Sequence, residues 1–442
     1  MKQLAKIFVI CILVQIGGIC YSQESGSKAN VDSLITEGNK LLQKGAFGKA
    51  LPVWLKVLKE DLDNANANFK VGLCYKHSFD KQTKALPYFK LASEKTSAKY
   101  NFYSKEEKAA PYDVWYFLGE TYLALNKPDS AMKAFNHYKT MYKGNPPLDV
   151  EKQVQQCANA RALAASPLSV KFSNVGAMVN TGYPETSPVV TIDNKQMFFS
   201  SRRLRSDESN KNWADDSNGK LPGDIYISKK DASGNWQLPV MFEYSSNLDE
   251  APVFVTADGN TLYFRRKDNG AYNLYSSTFM DGVWQTPEPM SGINSHFNET
   301  GLSMTVDGKY LYFSSDREKG LGKMDIYMCE KKDGSKWGKP VNISRNINSP
   351  DNETLPFVQP NGNKLFFCSD NRNGMGGYDI YYSEKVDDNT WSAPVNLGYP
   401  INSTKDDLGY YVSSQGYRFC SSISDKLDYD LFQIEEGEFD AA

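Results

Sequence analysis

Hydrophobic residues follow two different periods along this chain, and the change falls near Ser166 and Pro167. From residue 31 to residue 165, large apolar residues recur three and four positions apart, which predicts amphipathic helices. Beyond Pro167 the chain consists of short runs of alternating apolar and polar residues, separated by turns that contain glycine. This second pattern predicts β-strands. We therefore expect a helical domain at residues 31–165 and an all-β domain at residues 168–434.

The helical part contains a repeat. One clear copy has the order W-x2-L-G-x2-Y…A-x3-F, which is the tetratricopeptide signature; it uses Trp115, Leu118, Gly119, Tyr122, Ala131 and Phe135. Gly38 and Gly72 mark two weaker copies and lie 34 residues apart, the length of one such repeat. An insertion at about residues 93–111 delays the third copy, and residues 148–165 are predicted to form a capping helix.

Tetratricopeptide solenoids usually bind a partner in a concave groove, which the first helix of each repeat lines. In this sequence that face carries Asn66, Phe69, Leu73, Lys76, Asp113, Tyr116, Glu120 and Leu123. We predict partner binding chiefly by Asn66, Phe69, Lys76, Tyr116 and Glu120. The alternative is that these residues are ordinary solvated helix positions.

The second part repeats one motif five times. Each copy begins with an acid and reaches a turn eight residues later; the acids are Glu185, Glu250, Glu299, Glu353 and Asp407. Three of the turns read Asp-Gly or Asn-Gly, which predicts type I′ hairpins. An aromatic strand, a polar loop and a third strand such as Asp325-Ile-Tyr follow, and in four copies a tryptophan and a proline come next. A proline-bearing fourth strand suits a sheet edge, so each copy is predicted to be one blade of a five-bladed β-propeller.

The fifth copy lacks its fourth strand, because the chain ends soon after residue 434 and only an acidic tail at 435–442 follows. Residues 168–181 precede the first copy in the same way that residues 341–349 precede the fourth. We expect residues 168–181 to supply the missing strand, close the ring and remove the exposed sheet edges.

The N-terminus resembles an export signal. Two lysines precede an apolar run at residues 7–16, and small residues follow it, which predicts a signal peptide at residues 1–22 and a flexible leader at 23–30. Lipidation of Cys20 is an alternative, although Ile19 is larger than the residue that a lipidation site prefers there. No later apolar run is long enough to cross a bilayer. The mature chain is therefore expected in a Gram-negative periplasm or associated with the outer membrane, without a transmembrane segment.

Composition narrows the classes of partner. The 442 residues are 40% hydrophobic, and 50 basic residues balance 53 acidic ones. Neither nucleic acid nor an anionic membrane is therefore an expected partner. Processing leaves five cysteines in apolar surroundings, Cys74, Cys157, Cys329, Cys368 and Cys420, which indicates buried thiols rather than a disulfide framework.

We identify no catalytic, cofactor-binding or metal-binding motif, and the chain has only three histidines. The five acids that open the copies are predicted either to ring one mouth of the central channel and hold a cation, or to bind backbone amides; we favour the second interpretation. The first copy has a long loop that carries Arg202, Arg203, Arg205 and Trp213. Long insertions are often functional, and arginine and tryptophan are enriched at interfaces, so this loop is predicted to bind a partner unless it is simply solvated.

The stretches SSDREKGLGKMDIY and SDNRNGMGGYDIY, each followed by W-x2-P, resemble the WD40-like repeats of TolB-type periplasmic propellers. With a signal peptide and helical repeats in front, the whole order resembles exported proteins of Bacteroidota, including the PorE-like component of the type IX secretion system. PorE-like proteins continue into an OmpA-like domain that this sequence does not show, so the resemblance does not support peptidoglycan binding.

That resemblance implies a non-catalytic interaction scaffold, with envelope or secretion-complex proteins as partners. The alternative is a carbohydrate-binding or hydrolytic propeller, because propellers also serve those functions.

Overall fold

The computed structural model describes residues 28–78, 83–215, 218–332, 336–343, 345–371, 373–387, 390–413, 416–423 and 429–436. The predicted signal peptide with Cys20, most of the leader and most of the acidic tail lie outside these residues. The described chain divides into two compact units. The first comprises residues 28–121, 134–148 and 218–219, and the second comprises residues 122–133, 149–215 and 220 onward.

The helices are consecutive in the chain. In the described residues they are α1 Lys28–Gln43, α2 Phe47–Glu60, α3 Ala65–His77, α4 Ala85–Ser93, α5 Val114–Ala124, α6 Pro128–Thr140 and α7 Val150–Ala164. Two short strands, β1 Thr96–Ser97 and β2 Ala110–Pro111, lie between α4 and α5 and pair in parallel. The predicted insertion at residues 93–111 is therefore an ordered loop whose two ends meet.

The same contact joins each of the first three helix pairs. A glycine in the first helix faces an aromatic ring of the second, so closely that a Cβ atom on the glycine would lie 2.5 Å from the ring; the pairs are Gly38 with Trp54, Gly72 with Phe89, and Gly119 with Phe135. Glycine allows this approach because it has no side chain. The repeated contact explains why these glycines recur in the sequence.

The predicted capping helix, α7, belongs to the second unit. Lys152 Nζ lies 2.7 Å from Asp351 Oδ1, and Asn159 Nδ2 donates to the carbonyl oxygen of Gly374 at 3.1 Å. The helix thus contacts loops of the third and fourth propeller blades.

The described part of the second unit contains a five-bladed β-propeller, in which every blade is an antiparallel sheet. The innermost strand of each blade begins with the predicted acid. The first three strands of the blades are β4 Glu185–Val190, β5 Gln196–Ser201 and β6 Asp224–Lys229; β8 Glu250–Val255, β9 Thr261–Asp268 and β10 Ala271–Met280; β13 Glu299–Met304, β14 Tyr310–Ser315 and β15 Asp325–Lys332; β18 Glu353–Val358, β19 Lys364–Ser369 and β20 Asp379–Asp387; β23 Asp407–Val412, β24 Arg418–Ile423 and β25 Tyr429–Glu436. The inner strands contact one another in ring order, and β23 contacts β4.

The outer edge of most blades is interrupted at its proline. The outer strands are β7 Val240–Met241 in the first blade, β11 Val283–Trp284 and β12 Glu288–Pro289 in the second, β16 Lys336–Trp337 and β17 Val341–Asn342 in the third, and β21 Thr390–Trp391 and β22 Val395–Asn396 in the fourth. Proline has no N–H group to donate to the third strand. The predicted fourth strand is consequently two short pieces with the proline between them or at the end of the second piece.

The fifth blade takes its outer strand from the N-terminal side, as expected. This strand, β3 Val170–Asn174, pairs antiparallel with β25, and Phe172 lies opposite Ile434. Asn180, in the connection that follows, accepts from the N–H of Leu431 and donates to its carbonyl, both at 2.9 Å. Asn348 makes the same pair of bonds to Ile326. The ring-closing segment therefore has the local structure of an ordinary blade connection.

The hairpin turns differ from the prediction. Type I′ turns need positive φ at both central residues, but in each Asp-Gly or Asn-Gly pair only the glycine has it, for example Gly259 at 74°. The N–H of Gly259 donates to the carbonyl oxygen of Thr256 at 2.8 Å. Gly259 is therefore the fourth residue of a β-turn that begins at Thr256. The predicted turn type was therefore wrong. The expectation that the glycine of each pair has a positive φ was correct.

We expect Gly119→Ala to lower the free energy of unfolding by about 1–3 kcal/mol, because the new methyl group meets Phe135 in a packed interface. Chemical denaturation followed by circular dichroism measures this change. Gly144→Ala is the matched control, because a Cβ atom there meets nothing within 4 Å. Equal stability of the two variants would contradict the close contact.

Candidate functional site

The five acids that open the inner strands are buried, each at most 1% exposed. Glu299 is typical. Its carboxylate accepts from the N–H and hydroxyl of Ser295, four residues earlier, at 3.1 and 2.7 Å, from Ser315 at 2.9 Å and from Arg317 at 3.0 Å. The carboxylate thereby joins the connecting loop to the first two strands of its blade.

The other four acids are held in the same way. Each carboxylate accepts from the backbone N–H and the hydroxyl of the residue four positions earlier; these residues are Thr181, Ser246, Ser349 and Ser403. Burial raises the pKa of Glu185, Glu250 and Glu353 despite these bonds. No group of three or more His, Cys, Asp or Glu among the described residues is arranged to hold a metal ion. Each of these acids thus binds a backbone amide of the segment that precedes its strand.

A second set of buried acids opens the third strands. Three of them interact with an asparagine on the outer strand: Asp325 with Asn342 at 3.1 Å, Asp379 with Asn396 at 3.4 Å and Asp430 with Asn174 at 3.1 Å. The first blade has Met241 where the third and fourth blades have this asparagine.

In the first blade, Arg205 takes the place of that asparagine. Its guanidinium donates to both oxygens of Asp224, at 2.5 and 2.9 Å, and also to the carbonyl oxygen of Ser246. The Arg205 side chain is only 10% exposed. Arg205 is therefore a structural residue of the loop in this conformation.

The two other arginines of the loop are also engaged internally. Arg203 binds Glu185 at 3.1 Å and the carbonyl oxygen of Val179 at 2.7 Å, which repeats the role of Arg317 in the third blade. Arg202 lies 2.7 Å from Asp249. The loop was predicted to present arginines to a partner, but they are held by the carboxylates of Glu185, Asp224 and Asp249 and by backbone carbonyls. Partner binding by this loop stays a prediction.

Trp213 is the remaining predicted residue of the loop. It is 37% exposed, and the Arg205 guanidinium lies 4.9 Å from the centre of its ring. Asp216 and Ser217, which follow it, lie outside the described residues. Of the four predicted loop residues, Trp213 has the largest surface available for contact.

The residues predicted for the helical groove do not form an open surface. Tyr116 is 8% exposed and packs edge-on against Phe135 and Tyr138, so it belongs to the interior between α5 and α6. Lys76 and Glu120 form an ion pair with each other at 3.1 Å. Leu123 is buried as well.

Asn66 and Phe69 are each 3% exposed. The loop between β1 and β2 covers them: Asn66 accepts from the hydroxyl of Tyr100, and Phe69 packs edge-on against the Tyr100 ring. Partner binding by the five predicted groove residues stays a prediction, and Asn66 and Phe69 would first have to be uncovered.

The described cysteines are all buried and free, as the sequence indicated. Burial raises the pKa of the Cys74 and Cys157 thiols to about 12 and that of Cys329 to about 11. These thiols are therefore protonated and inert at neutral pH.

A groove of about 920 Å³ lies between the first and second blades. Phe242 and Trp284 form its buried floor, at 1% and 9% exposed, whereas Leu238 and Val240 stand on its rim, at 73% and 71% exposed. Phe279 adds a further rim residue that is 38% exposed. The groove thus has a buried apolar floor and exposed apolar side chains on its rim, beside charged residues such as Lys229 and Asp258.

Sequence reasoning missed this groove, although a signal was present. In the first copy the outer segment reads WQLPVM, whereas the third and fourth copies read WGKPVN and WSAPVN. Leu238 thus replaces a lysine or an alanine at an exposed position, and Met241 replaces an asparagine that contacts a buried acid in the third and fourth blades. Comparing the copies at these positions, rather than at the repeated ones, would have located the groove.

Neither a family model nor a curated protein sequence matches this chain. Among solved structures, one described as a glycoside hydrolase is 9% identical with a TM-score of 0.44, over 64% of this chain and 96% of that chain. TolB from Acinetobacter baumannii is 16% identical with a TM-score of 0.35, over 66% and 71% of the two chains. A putative TolB from Agrobacterium tumefaciens is 18% identical with a TM-score of 0.31, over 52% and 89%. TolB-type propellers are therefore among its structural neighbours, and the likeness concerns the fold alone.

We expect Arg205→Met to lower the free energy of unfolding by about 3–5 kcal/mol, because it leaves the Asp224 carboxylate buried without its cation. Thermal or chemical denaturation measures the change. Lys211→Met is the control, since the exposed pair of Lys211 and Glu208 in the same loop should contribute less than about 1 kcal/mol. A loss no larger than that of the control would show that Arg205 is dispensable to the fold.

Asp407 generates a pH prediction. Burial raises its pKa from 3.8 to about 7, so between these values the folded protein holds a proton that the unfolded chain has released. The stabilisation from this protonated carboxyl group is fully present below about pH 4. As the pH rises to about 7, the free energy of unfolding falls by up to about 4 kcal/mol. Asp407→Asn, which cannot ionise, should flatten the free energy of unfolding across this range. An unchanged pH slope in the variant would refute this assignment.

Proposed function

We propose that this protein is an exported, non-catalytic scaffold of the cell envelope, which binds a partner protein through the groove between its first two propeller blades. The observation that carries this proposal is the exposure of Leu238 and Val240, each more than 70% accessible beside an apolar floor. Clustered apolar residues on a protein surface commonly mark interaction sites. The groove would take apolar side chains of the partner.

The edge strand beside the groove supports an extended partner segment. Among the strands of the described residues, β7 pairs with β6 alone, so its other backbone edge is available to an added strand. A partner that lies along β7 would gain backbone hydrogen bonds and place alternate side chains in the groove. The occupant that we propose is therefore an extended, apolar segment of a protein.

The contacts of the charged residues support a role without catalysis. The carboxylates that open the inner strands accept hydrogen bonds from the protein itself, and Arg203, Arg205 and Arg317 are bound to buried acids. From the sequence, the five carboxylates were considered as a possible cation site, and Arg203 and Arg205 were predicted to bind a partner. Their internal bonds give each of them a structural role.

The finer parts of the proposal rest on the sequence. We propose that the helix pairs are tetratricopeptide repeats, that the protein is exported to the periplasm or the outer membrane of a member of the Bacteroidota, and that its partners belong to a secretion complex such as type IX. The glycine–aromatic contacts of three helix pairs support the first point. No helix in the described ranges is both long enough and apolar enough to cross a membrane.

The alternative is a carbohydrate-binding or hydrolytic propeller. The structural neighbours include both TolB and a protein described as a glycoside hydrolase, and a shared fold does not distinguish these functions. A glycan array and a panel of hydrolase substrates test the alternative directly, and a reproducible signal there would overturn the scaffold proposal.

The groove is tested by placing charge on its rim. Leu238→Lys/Val240→Lys should reduce recovery of the partner from native envelopes at least about tenfold, because apolar contacts at a hot spot are worth about 2 kcal/mol or more. Tagged full-length protein, affinity purification and quantitative mass spectrometry measure this recovery.

The control is Ala393→Lys/Val395→Lys, which makes the same change at the same strand positions of the fourth blade, where both residues are also exposed. The control should keep every partner, and both variants should keep the wild-type melting temperature within a few degrees. A partner set that is the same in both variants would remove the groove from consideration.

A further inference from the structure

The loop between β1 and β2 folds back onto helix α3. Its ends meet, since Thr96 pairs with Ala110 in a parallel bridge. Inside the loop, Glu107 accepts from the N–H of Asn101 at 3.2 Å and from the N–H of Ala109 at 2.9 Å. Residues 98–109 therefore form a compact loop, here called the groove loop, whose removal leaves the distance between α4 and α5 almost unchanged.

Helix α3 binds the groove loop mainly through the backbone carbonyl groups of the loop. Lys70 Nζ donates to the carbonyl oxygen of Phe102 at 2.6 Å. Asn66 donates from its side chain to the carbonyl oxygen of Glu107 at 3.1 Å and from its N–H to that of Lys108 at 3.3 Å. Every polypeptide offers such carbonyl groups, so these contacts do not require the sequence of the loop.

Two aromatic side chains supply the specific contacts. Tyr100 and Phe102 are partly buried, whereas Asn101 and Tyr103 are exposed. The N–H of Ser104 donates to the carbonyl oxygen of Asn101 at 3.2 Å, so Phe102 and Tyr103 are the central residues of a turn. The Tyr100 hydroxyl donates to Asn66 at 2.7 Å. The surface of α3 thus accepts a segment with the pattern aromatic-x-aromatic, in which the second aromatic residue lies in a turn.

Lys70 raises the free energy of the state in which the groove loop lies on α3. Its side chain is fully buried, its Nζ lies 2.5 Å from Asn39 Oδ1, and it stands between the rings of Trp54 and Phe102, at 4.5 and 4.4 Å from their centres. Burial lowers the pKa of Lys70 to about 7. Of these two rings, the groove loop provides that of Phe102. Release of the loop therefore exposes the ammonium group of Lys70 to water.

We propose that the groove loop is a displaceable internal occupant of a polypeptide-binding site, and that a partner segment with two aromatic residues in alternate positions, the second of them in a turn, binds there in its place. Asn66 and Lys70 would then bind the backbone carbonyls of the partner. Phe69 would pack against its first ring, and Lys70 would lie over its second ring. The protein would bind this partner weakly until the loop is released.

This site does not depend on the groove between the first two blades, because its residues belong to the first unit. Failure of the test below would leave the propeller proposal intact, and failure of the blade variants would leave this one intact.

The test uses full-length protein and a synthetic peptide of residues 97–110. In one variant, residues 99–108 are replaced by two glycines, which empties the site. The peptide should bind the emptied variant at least about tenfold more tightly than the wild type, because the tethered loop competes at a high effective concentration. Isothermal titration calorimetry measures both affinities.

Two comparisons establish specificity. A peptide with Tyr100→Ala and Phe102→Ala should bind the emptied variant at least about tenfold more weakly than the natural peptide does. The natural peptide should likewise bind at least about tenfold more weakly to an emptied variant that also carries Lys70→Met. Lys56→Met, on an exposed position of α2, should have no effect. Equal affinity for the wild type and the emptied variant, or no binding to a folded emptied variant, would overturn the proposal.

A second measurement applies if the emptied variant does not fold. In otherwise unchanged protein, Phe102→Ala should speed amide hydrogen exchange in residues 98–109 at least about tenfold and leave exchange in α3 unchanged. Unchanged exchange in the loop, or equal acceleration in α3, would show that the loop is a fixed part of the helical unit.

Discussion

A buried carboxylate at the first residue of each inner strand is the interaction on which the propeller depends. It binds the loop that arrives from the preceding blade and, in most blades, the second strand of its own blade, so that one side chain sets the position of three segments. A buried carboxyl group is tolerated only when its oxygens are hydrogen-bonded, and leaving a buried polar group without its partner costs about 1–3 kcal/mol. This is a large share of the total stability of a domain, about 5–15 kcal/mol. The Ser or Thr four residues before each acid therefore accompanies it in all five copies.

The first blade shows how this constraint can be met differently. The third, fourth and fifth blades use an outer-strand asparagine for the acid of the third strand, whereas the first blade brings Arg205 from its long loop to Asp224. Position 241 is then free of that structural role and carries methionine. Together with Leu238 it changes a polar edge into an apolar one. The long loop thus affects the proposed function indirectly. Because Arg205 binds Asp224, position 241 can carry an apolar residue beside the groove.

The two proposed binding surfaces differ in their chemistry. The blade groove is apolar and open, so it suits a partner that buries hydrophobic side chains. The site on α3 is lined by amides and an ammonium group, and it is already filled by a segment of the same chain. Buried polar groups need hydrogen-bond partners at all times, which explains why the polar site has an internal occupant and the apolar groove does not.

The sequence by itself determined the five blades, the strand that closes them and the recurring glycines and acids, because each rests on local spacing: a period of two or of three to four, a turn residue, or a short side chain at a close contact. The sequence also indicated that the acids bind backbone amides. It did not determine which surfaces remain open. Arg203 and Arg205 look like interface residues until their distance to Glu185 and Asp224 is known, and Asn66 and Phe69 look exposed until the groove loop lies over them. Exposure is a property of residues far apart in the chain, so only the tertiary structure decided it.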